Sequence, residues 1–358
     1  MADWKDSRLL DLFGIELPIV QAPMAGATTP AMAIGAAKAG GLGSLPCAML
    51  SADQARADVA AFRAAAPGRP VNLNFFVHRM PAADPARALA WRARLAPYYV
   101  EAGLDPMVAP PQASRAPFDD AFCSLVEETR PEVVSFHFGL PESGLLARVK
   151  ATGAKIISSA TKVAEARWLA ERGVDAIAAM GSEAGGHRGT FLPGFGDDLS
   201  HPLDMAAQAG TFALVPQIVD AVELPVIAAG GIADRRGVAA ALALGAAGVQ
   251  VGTAYLFTPE AKISKAHAAA LEEARDDNTL LTDLFTGRPA RAVVNRLMLE
   301  LGPLGAPVPA FPLAGGALAP LRQNGNNRDF TNAWAGQAAR LAPRGLSSEE
   351  LTRWLAGR

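Results

Sequence analysis

Two stretches decide how this chain folds: Pro225-Val226-Ile227-Ala228-Ala229-Gly230-Gly231-Ile232-Ala233-Asp234 and Gly248-Val249-Gln250-Val251-Gly252-Thr253. Each is a short β-branched and alanine run that ends in glycine. Between them Asp234 to Leu244 has helical character, and Gly245 stands where a helix C-cap is wanted. Strand, glycine turn, helix, strand is the pattern of a βα unit in a parallel sheet. In α/β barrels the loops after the last two strands commonly form a phosphate site from backbone N–H groups. Glycine clears the space, and a helix amino terminus there would add donors. Gly230, Gly231, Gly252 and Thr253 are therefore the expected anion cradle.

The same alternation extends toward the amino terminus. Strand candidates are Pro18 to Gln21, Gly41 to Leu45, Val71 to Phe75, Val133 to His137, Lys155 to Ser159 and Asp175 to Met180, which with the two above make eight. Helical stretches lie between them: Thr29 to Ala39, with Pro30 at the first helical position, Ser51 to Ala65, and Lys162 to Arg172 before Gly173. Eight units in this order predict an α/β fold, a closed (β/α)8 TIM barrel. The rhythm breaks twice. His78 to Arg130 is too long for one crossover and reads as two helices around a loop with Ala109-Pro110-Pro111. After the eighth strand, residues 258–322 read as a mostly helical insertion capping the barrel mouth. The expected division is thus a barrel over 1–257, the cap over 258–322, and C-terminal helices over 323–358 packing back on the barrel.

Candidate chemistry gathers at the carboxyl ends of the strands, where barrels place active sites. Gly181-Ser182-Glu183-Ala184-Gly185-Gly186-His187-Arg188-Gly189 follows the sixth strand directly. Its glycines permit close approach to a planar or anionic ligand, His187 exchanges hydrogen bonds near neutral pH, and Arg188 supplies positive charge. Ala22, Pro23 and Met24 end the first strand and offer main-chain groups and a soft apolar surface to a flat ring. Asn74 puts an amide at the end of the third strand. His137, in Ser135-Phe136-His137-Phe138-Gly139, ends the fourth. His78 is a weaker candidate, and His201 and His267 read as solvated. No carboxylate pair suits glycoside hydrolysis, no nucleophile elbow is present, and no Cys/His cluster predicts a metal.

The composition limits the partners. Half of the 358 residues are hydrophobic and only 19% are charged, so a sizeable core is expected. The net charge of -2 argues against nucleic acid or an anionic membrane as the main partner. No apolar leader core or spanning segment is read, and the two cysteines, Cys47 and Cys123, make no disulfide framework. A cytoplasmic protein acting on a small molecule, as monomer or homodimer, is the expectation.

On these motifs the chain resembles the nitronate monooxygenases, formerly called 2-nitropropane dioxygenases. The likeness covers nearly the whole length: Gln21 to Met24, Asn74, Phe136 to Pro141, Glu183 to Gly189, Ala229 to Ile232, Gln250 to Thr253, and Trp334-Ala335-Gly336-Gln337. The GSEAGGHRG and WAGQ segments are its specific parts. The resemblance implies FMN, with its phosphate at Gly230, Gly231 and Gln250 to Thr253. Ala22, Pro23, Met24, Asn74, Met180, Gly185 and Gly186 would then lie near the ring and ribityl chain. It implies that His187 and His137 are the catalytic residues, His187 holding an anionic nitronate or removing the α-proton of a neutral nitroalkane and His137 shaping or polarising the second side of the pocket. The implied reaction is FMN-dependent oxidation of an alkyl nitronate with O2 to a carbonyl compound and nitrite. Two departures stand out: Met180 replaces a glutamine usual in the family, and the capping region reads Phe311-Pro312-Leu313 where relatives carry tyrosine. The competing reading is an NAD(P)H-dependent flavin reductase, of the quinone or enoyl reductase type, on the same barrel.

Overall fold

Short runs of β-branched residues bounded by glycine and proline form strands here, and cooperative pairing rather than length holds them. The computed structural model describes residues 4, 6–108, 111, 115–194, 202–305, 307–323 and 326–358. The strands are β1 (Ile19–Gln21), β2 (Gly43–Pro46), β3 (Val71–Phe76), β4 (Val133–His137), β5 (Lys155–Ala160), β6 (Ala176–Met180), β7 (Gly186–His187), β8 (Val226–Ala229), β9 (Gly248–Val251), β10 (Thr279–Thr282) and β11 (Ala290–Val293). Eight form one parallel sheet in the order β1-β9-β8-β6-β5-β4-β3-β2. A parallel bridge between Val20 and Leu42 joins its two ends, with Gln21 N–H donating to Leu42 O at 3.0 Å and Leu42 N–H donating to Ile19 O at 2.9 Å. The ring is closed, so no strand edge is left unpaired. The expected barrel is what forms.

The helices are α1 (Arg8–Phe13), α2 (Pro30–Lys38), α3 (Ala52–Ala65), α4 (Pro85–Glu101), α5 (Asp120–Thr129), α6 (Ser143–Ala151), α7 (Val163–Glu171), α8 (Pro202–Ala206), α9 (Thr211–Val219), α10 (Arg235–Ala243), α11 (Lys265–Glu272), α12 (Arg296–Leu301) and α13 (Ser348–Leu355). Their starts follow capping chemistry. Thr29 accepts from Met32 N–H, and Ser51 with Gln54 makes a capping box. The expected α4 and α5 fill the His78-to-Arg130 stretch, while part of the loop between them lies outside the described residues. Among the described residues no helix is long and apolar enough to cross a membrane.

α1 closes the bottom of the barrel. Its Leu9 and Phe13 pack with Val20, Leu42, Ile157 and Ile227, and a Cβ at Gly248 would lie 2.4 Å from Leu9 Cδ2. The site can therefore open only at the carboxyl face.

The cap differs from the expected mostly helical insertion in one respect. Beside α11, α12 and a 3-10 turn at Leu313–Leu318, it contains the antiparallel pair β10–β11, and β11 pairs onward with β7. The cap also has an apolar centre of its own, drawn from distant segments. Trp91, Leu95, Tyr98 and Tyr99 of α4 pack with Leu284, Phe285, Leu297 and Leu318. Trp91 Nε1–H donates to Ala314 O at 3.2 Å and Tyr99 O–H to Ala317 O at 2.6 Å. Beyond residue 322 the described residues hold one α-helix, α13, and a short 3-10 turn at Ala339–Leu341. The segment before that turn crosses the barrel mouth.

Leu9→Ala removes a fully buried plug with no polar substitute. Chemical denaturation should show a stability loss of about 2–5 kcal/mol; a loss below about 1 kcal/mol would mean that α1 does not seal the barrel floor.

Candidate active site

A cavity of about 210 Å³ opens at the carboxyl ends of the barrel strands. The predicted residues Ala22, Pro23, Met24, Asn74, His137, Met180, Gly185, Gly186, His187, Gly230, Gln250, Gly252 and Thr253 all line it. Val251 and Gly231 do not. The Val251 side chain is fully buried between barrel and helices, because alternate residues of a strand point to opposite faces. Gly231 turns away at φ +70°, and a Cβ there would meet the Glu183 side chain at 3.4 Å.

At one end of the cavity the backbone is built for an anion. Among the described residues, the amides of Gly230, Gly231, Gly252 and Thr253 have no protein acceptor. Gly230 adopts φ +104°, and a Cβ there would lie 2.9 Å from Ala184 N. Only glycine gives that turn. The amino terminus of α10 contributes less than expected: the Asp234 carboxylate already accepts from Arg236 N–H at 2.9 Å and Gly237 N–H at 3.1 Å. The free donors thus come from the two turns, not from the helix. Along the cavity floor Asn74 Nδ2–H donates to Ser135 Oγ at 2.9 Å, which leaves its carbonyl oxygen as the available acceptor. Met24 N–H is likewise occupied, by Thr28 Oγ at 3.1 Å, so Met24 offers its thioether rather than its amide. Met180 lines the cavity with an apolar side chain, and its carbonyl accepts from Arg188 Nη2 at 2.7 Å.

His187 sits where barrel, cap and C-terminal segment meet. Gly186 and His187 pair with Arg291 and Ala290 of β11. The His187 ring lies 5.2 Å from the Phe311 ring and 5.4 Å from Trp334, centroid to centroid, and its Nε2 is 3.0 Å from Thr286 Oγ. Burial, and then the Arg115 guanidinium, hold its pKa well below the usual histidine value, so the imidazole is neutral. His137 is placed differently from the expectation of a second catalytic group. Its Nε2–H donates to His187 O at 3.2 Å, and its Nδ1 accepts from Ser159 Oγ at 2.7 Å. Burial and Arg288 push its pKa down to about 3. With both nitrogens occupied by protein, His137 is suited to holding the His187 backbone rather than to moving a proton.

Arg188 also departs from the reading of a ligand-facing charge. It is 1% exposed and turns away from the cavity, donating to Gly181 O at 2.6 Å, to Met180 O, and to Gln208 Oε1. It ties the end of β6 to the loop that follows. Glu183 does the same on the other side: its carboxylate accepts Thr211 N–H at 2.8 Å, and its carbonyl accepts Gln337 N–H at 3.0 Å.

The positive charge in the cavity comes instead from residues that motif reading missed. The Arg115 side chain lines it, while Arg288 stands behind the lining, its guanidinium 3.9 Å over the Phe138 ring and close enough to act on the His137 and His187 imidazoles. Arg288 donates to Thr190 O, and burial lowers its pKa to about 10. No Asp or Glu lines the cavity among the described residues. His267 is not solvated: it is buried, lines the cavity, and donates Nε2–H to Trp334 O at 3.0 Å. His78 lies outside the cavity lining, packed at 4.7 Å from the Phe311 ring, with neither ring nitrogen hydrogen-bonded. His201 lies outside the described residues. Arg115 carries no local motif, and Thr286 reaches the site only through the unread hairpin.

A nitronate monooxygenase of Pseudomonas aeruginosa is 40% identical over 97% of both chains, and one of Paraburkholderia phytofirmans is 41% identical over 97% of this chain and 93% of that one. A solved structure of nitroalkane oxidase from Streptomyces ansochromogenes is 35% identical, covers 98% of this chain and 97% of its own, and superposes with a TM-score of 0.86. FabK from Thermotoga maritima is 25% identical, covers 98% and 94%, and gives 0.70. These relatives define an oxidoreductase enzyme on a TIM barrel. The chain belongs to the nitronate monooxygenase family, whose model matches residues 6–356.

Two outcomes follow from the packing. A Cβ at Gly185 would lie 2.5 Å from Gly336 N and 2.6 Å from Ala335 C. Gly185→Ala should therefore lower thermal stability by about 1–3 kcal/mol; an unchanged Tm would mean the Trp334–Gln337 segment is not seated on this loop. His78, held at a pKa of about 4 by burial and Arg288, binds its proton in the unfolded chain before the folded one. Its contribution is present above about pH 6.5 and is lost as pH falls toward 4. His78→Phe should flatten the acid limb of the stability curve by about 1.4 kcal/mol per pH unit in that window; an unaltered limb would show that His78 is not held neutral.

Proposed function

We propose that the chain binds FMN and oxidises alkyl nitronates with O2 to a carbonyl compound and nitrite. The observation that carries this is a cavity lined by the Arg115 guanidinium, with Arg288 behind its wall, no lining carboxylate among the described residues and a neutral imidazole on its wall, set beside unpaired backbone amides. Such a field favours a small anion, and the desolvation around Arg115 and Arg288 strengthens it. The residues fit the cofactor. The free amides of Gly230, Gly252 and Thr253, with that of Gly231 just behind the lining, suit a phosphate, and Met24, Met180, Ile157 and Ala178 give an apolar floor for a ring. Asn74 Oδ1 offers an acceptor to a ring N–H. FMN, when bound, supplies the electron transfer from nitronate and the reaction with oxygen.

The protein's own part is to hold, orient and discriminate. Arg115 and Arg288 draw the nitronate in. Phe76, Phe311 and Trp334 around His187 narrow the space above the floor and exclude water. With a neutral nitroalkane, His187 takes the α-proton. His137 is a positioning residue that fixes the His187 main chain. Met180, in place of the usual amide, removes a polar contact at the ring and leaves a polarisable one.

His187→Asn should retain the flavin spectrum and lower turnover of a neutral nitroalkane by about 10²-fold or more. Near-normal turnover removes His187 from the reaction. Anaerobic mixing tests the activity itself. The flavin should bleach with an alkyl nitronate and stay oxidised with NADH or NADPH. The reverse result makes the protein an NAD(P)H-dependent flavin reductase.

A further inference from the structure

The hydrogen-bond pattern around Thr286 bears on how His187 presents itself to the cavity. Thr286 lies in the connection between β10 and β11 and is 2% exposed. Its hydroxyl oxygen is 3.0 Å from His187 Nε2 and 3.3 Å from Arg288 O. A hydroxyl has one proton to give, and a carbonyl can only accept. The arrangement that satisfies all three groups runs in one direction: His187 Nε2–H donates to Thr286 Oγ, and Thr286 O–H donates to Arg288 O. A neutral imidazole carries a single N–H, so its lone pair is then on Nδ1. Nδ1 has no protein partner among the described residues and is not among the buried polar atoms left unpaired, so it is accessible from the cavity that His187 lines.

We propose that Thr286 is a positioning residue that sets the His187 tautomer, keeping Nδ1 unprotonated toward the substrate. This rests on the reading of His187 given above and deepens it. In that tautomer a neutral nitroalkane can be activated in place. The α C–H bond breaks, its electron pair passes into the nitro group to give the nitronate, and the proton goes to Nδ1. The nitronate so formed lies in the field of Arg115 and Arg288. A preformed nitronate needs no such step, which makes the two substrate forms separable probes of the device. The cap hairpin would thereby supply an element of the chemistry, not only a cover.

The test uses the flavin-loaded full-length protein labelled with ¹⁵N-histidine, with the His187 signals assigned by their loss in His187→Asn. The expected spectrum shows Nε2 protonated and Nδ1 unprotonated in the wild type. Thr286→Val, isosteric but unable to accept, should move His187 toward the Nδ1–H form, and Thr286→Ser should restore the wild-type pattern. Turnover of a nitroalkane relative to its own nitronate should fall about tenfold or more in Thr286→Val and recover in Thr286→Ser, the scale expected when a buried N–H loses its acceptor. A wild-type Nδ1–H tautomer, or a tautomer unmoved by Thr286→Val, overturns the proposal. So does an equal loss on both substrate forms, which marks a structural role only. Failure of the wild type to oxidise any nitronate would sink the proposed function instead, and the tautomer measurement reads separately from it.

Discussion

The site depends on the pairing of two residues, Gly186 and His187, with a strand of the cap. A two-residue strand has no stability of its own. It exists because β11 supplies partners on one side and the Trp334–Gln337 segment covers the loop on the other, with Gly336 N–H donating to Thr253 Oγ at 2.9 Å. Barrel, cap and C-terminal segment therefore meet around a single imidazole. The barrel contributes the loop, the cap contributes Thr286 and Phe311, and the last segment contributes Trp334. None of the three alone would hold His187 in one orientation, and catalytic groups need that orientation fixed.

Electrostatics follow from the same burial. Arg188, Arg288 and Arg291 are all drawn into the protein, and each is satisfied mainly by backbone carbonyls rather than by carboxylates. Backbone carbonyls neutralise a guanidinium only partly, so a net positive field persists at the cavity. Burial first, and that field second, keep His78, His137 and His187 neutral. The buried carboxylate Glu165 is held away from the cavity, accepting from Thr161, Phe191 and Leu192 and so fastening the chain that leaves the His187 loop. Holding Glu165 away from the cavity leaves it suited to an anionic ligand.

Much of this was legible in the sequence because it is local. A glycine pair at the end of a β-branched run, a Thr-Pro helix start and an N-capping serine each act within a few residues, and the alternation of eight strands with helices is read from such cues. Val251 was misplaced because the strand's two faces were not separated, although the period of two along Gly248 to Val251 contains that information. Arg188 was misread for a subtler reason: its charge is real, but its direction is set by carbonyls at Met180 and Gly181 that only the folded turn exposes. The β10–β11 hairpin was missed because each strand is four residues long and carries no clear alternation. Arg115, Thr286 and His267 reach the cavity through contacts distant in sequence, which no local pattern reports.

The central claim is that a mononucleotide's phosphate rests on the turns after β8 and β9, with its ring on the apolar floor beneath His187. A crystal structure of the protein loaded with FMN measures this most directly. The account predicts phosphate oxygens hydrogen-bonded to amides of Gly230, Gly231, Gly252 or Thr253, and the flavin ring against Met24 and Asn74 with the imidazole on its open face. A phosphate bound elsewhere, or a flavin ring out of reach of His187, would contradict it.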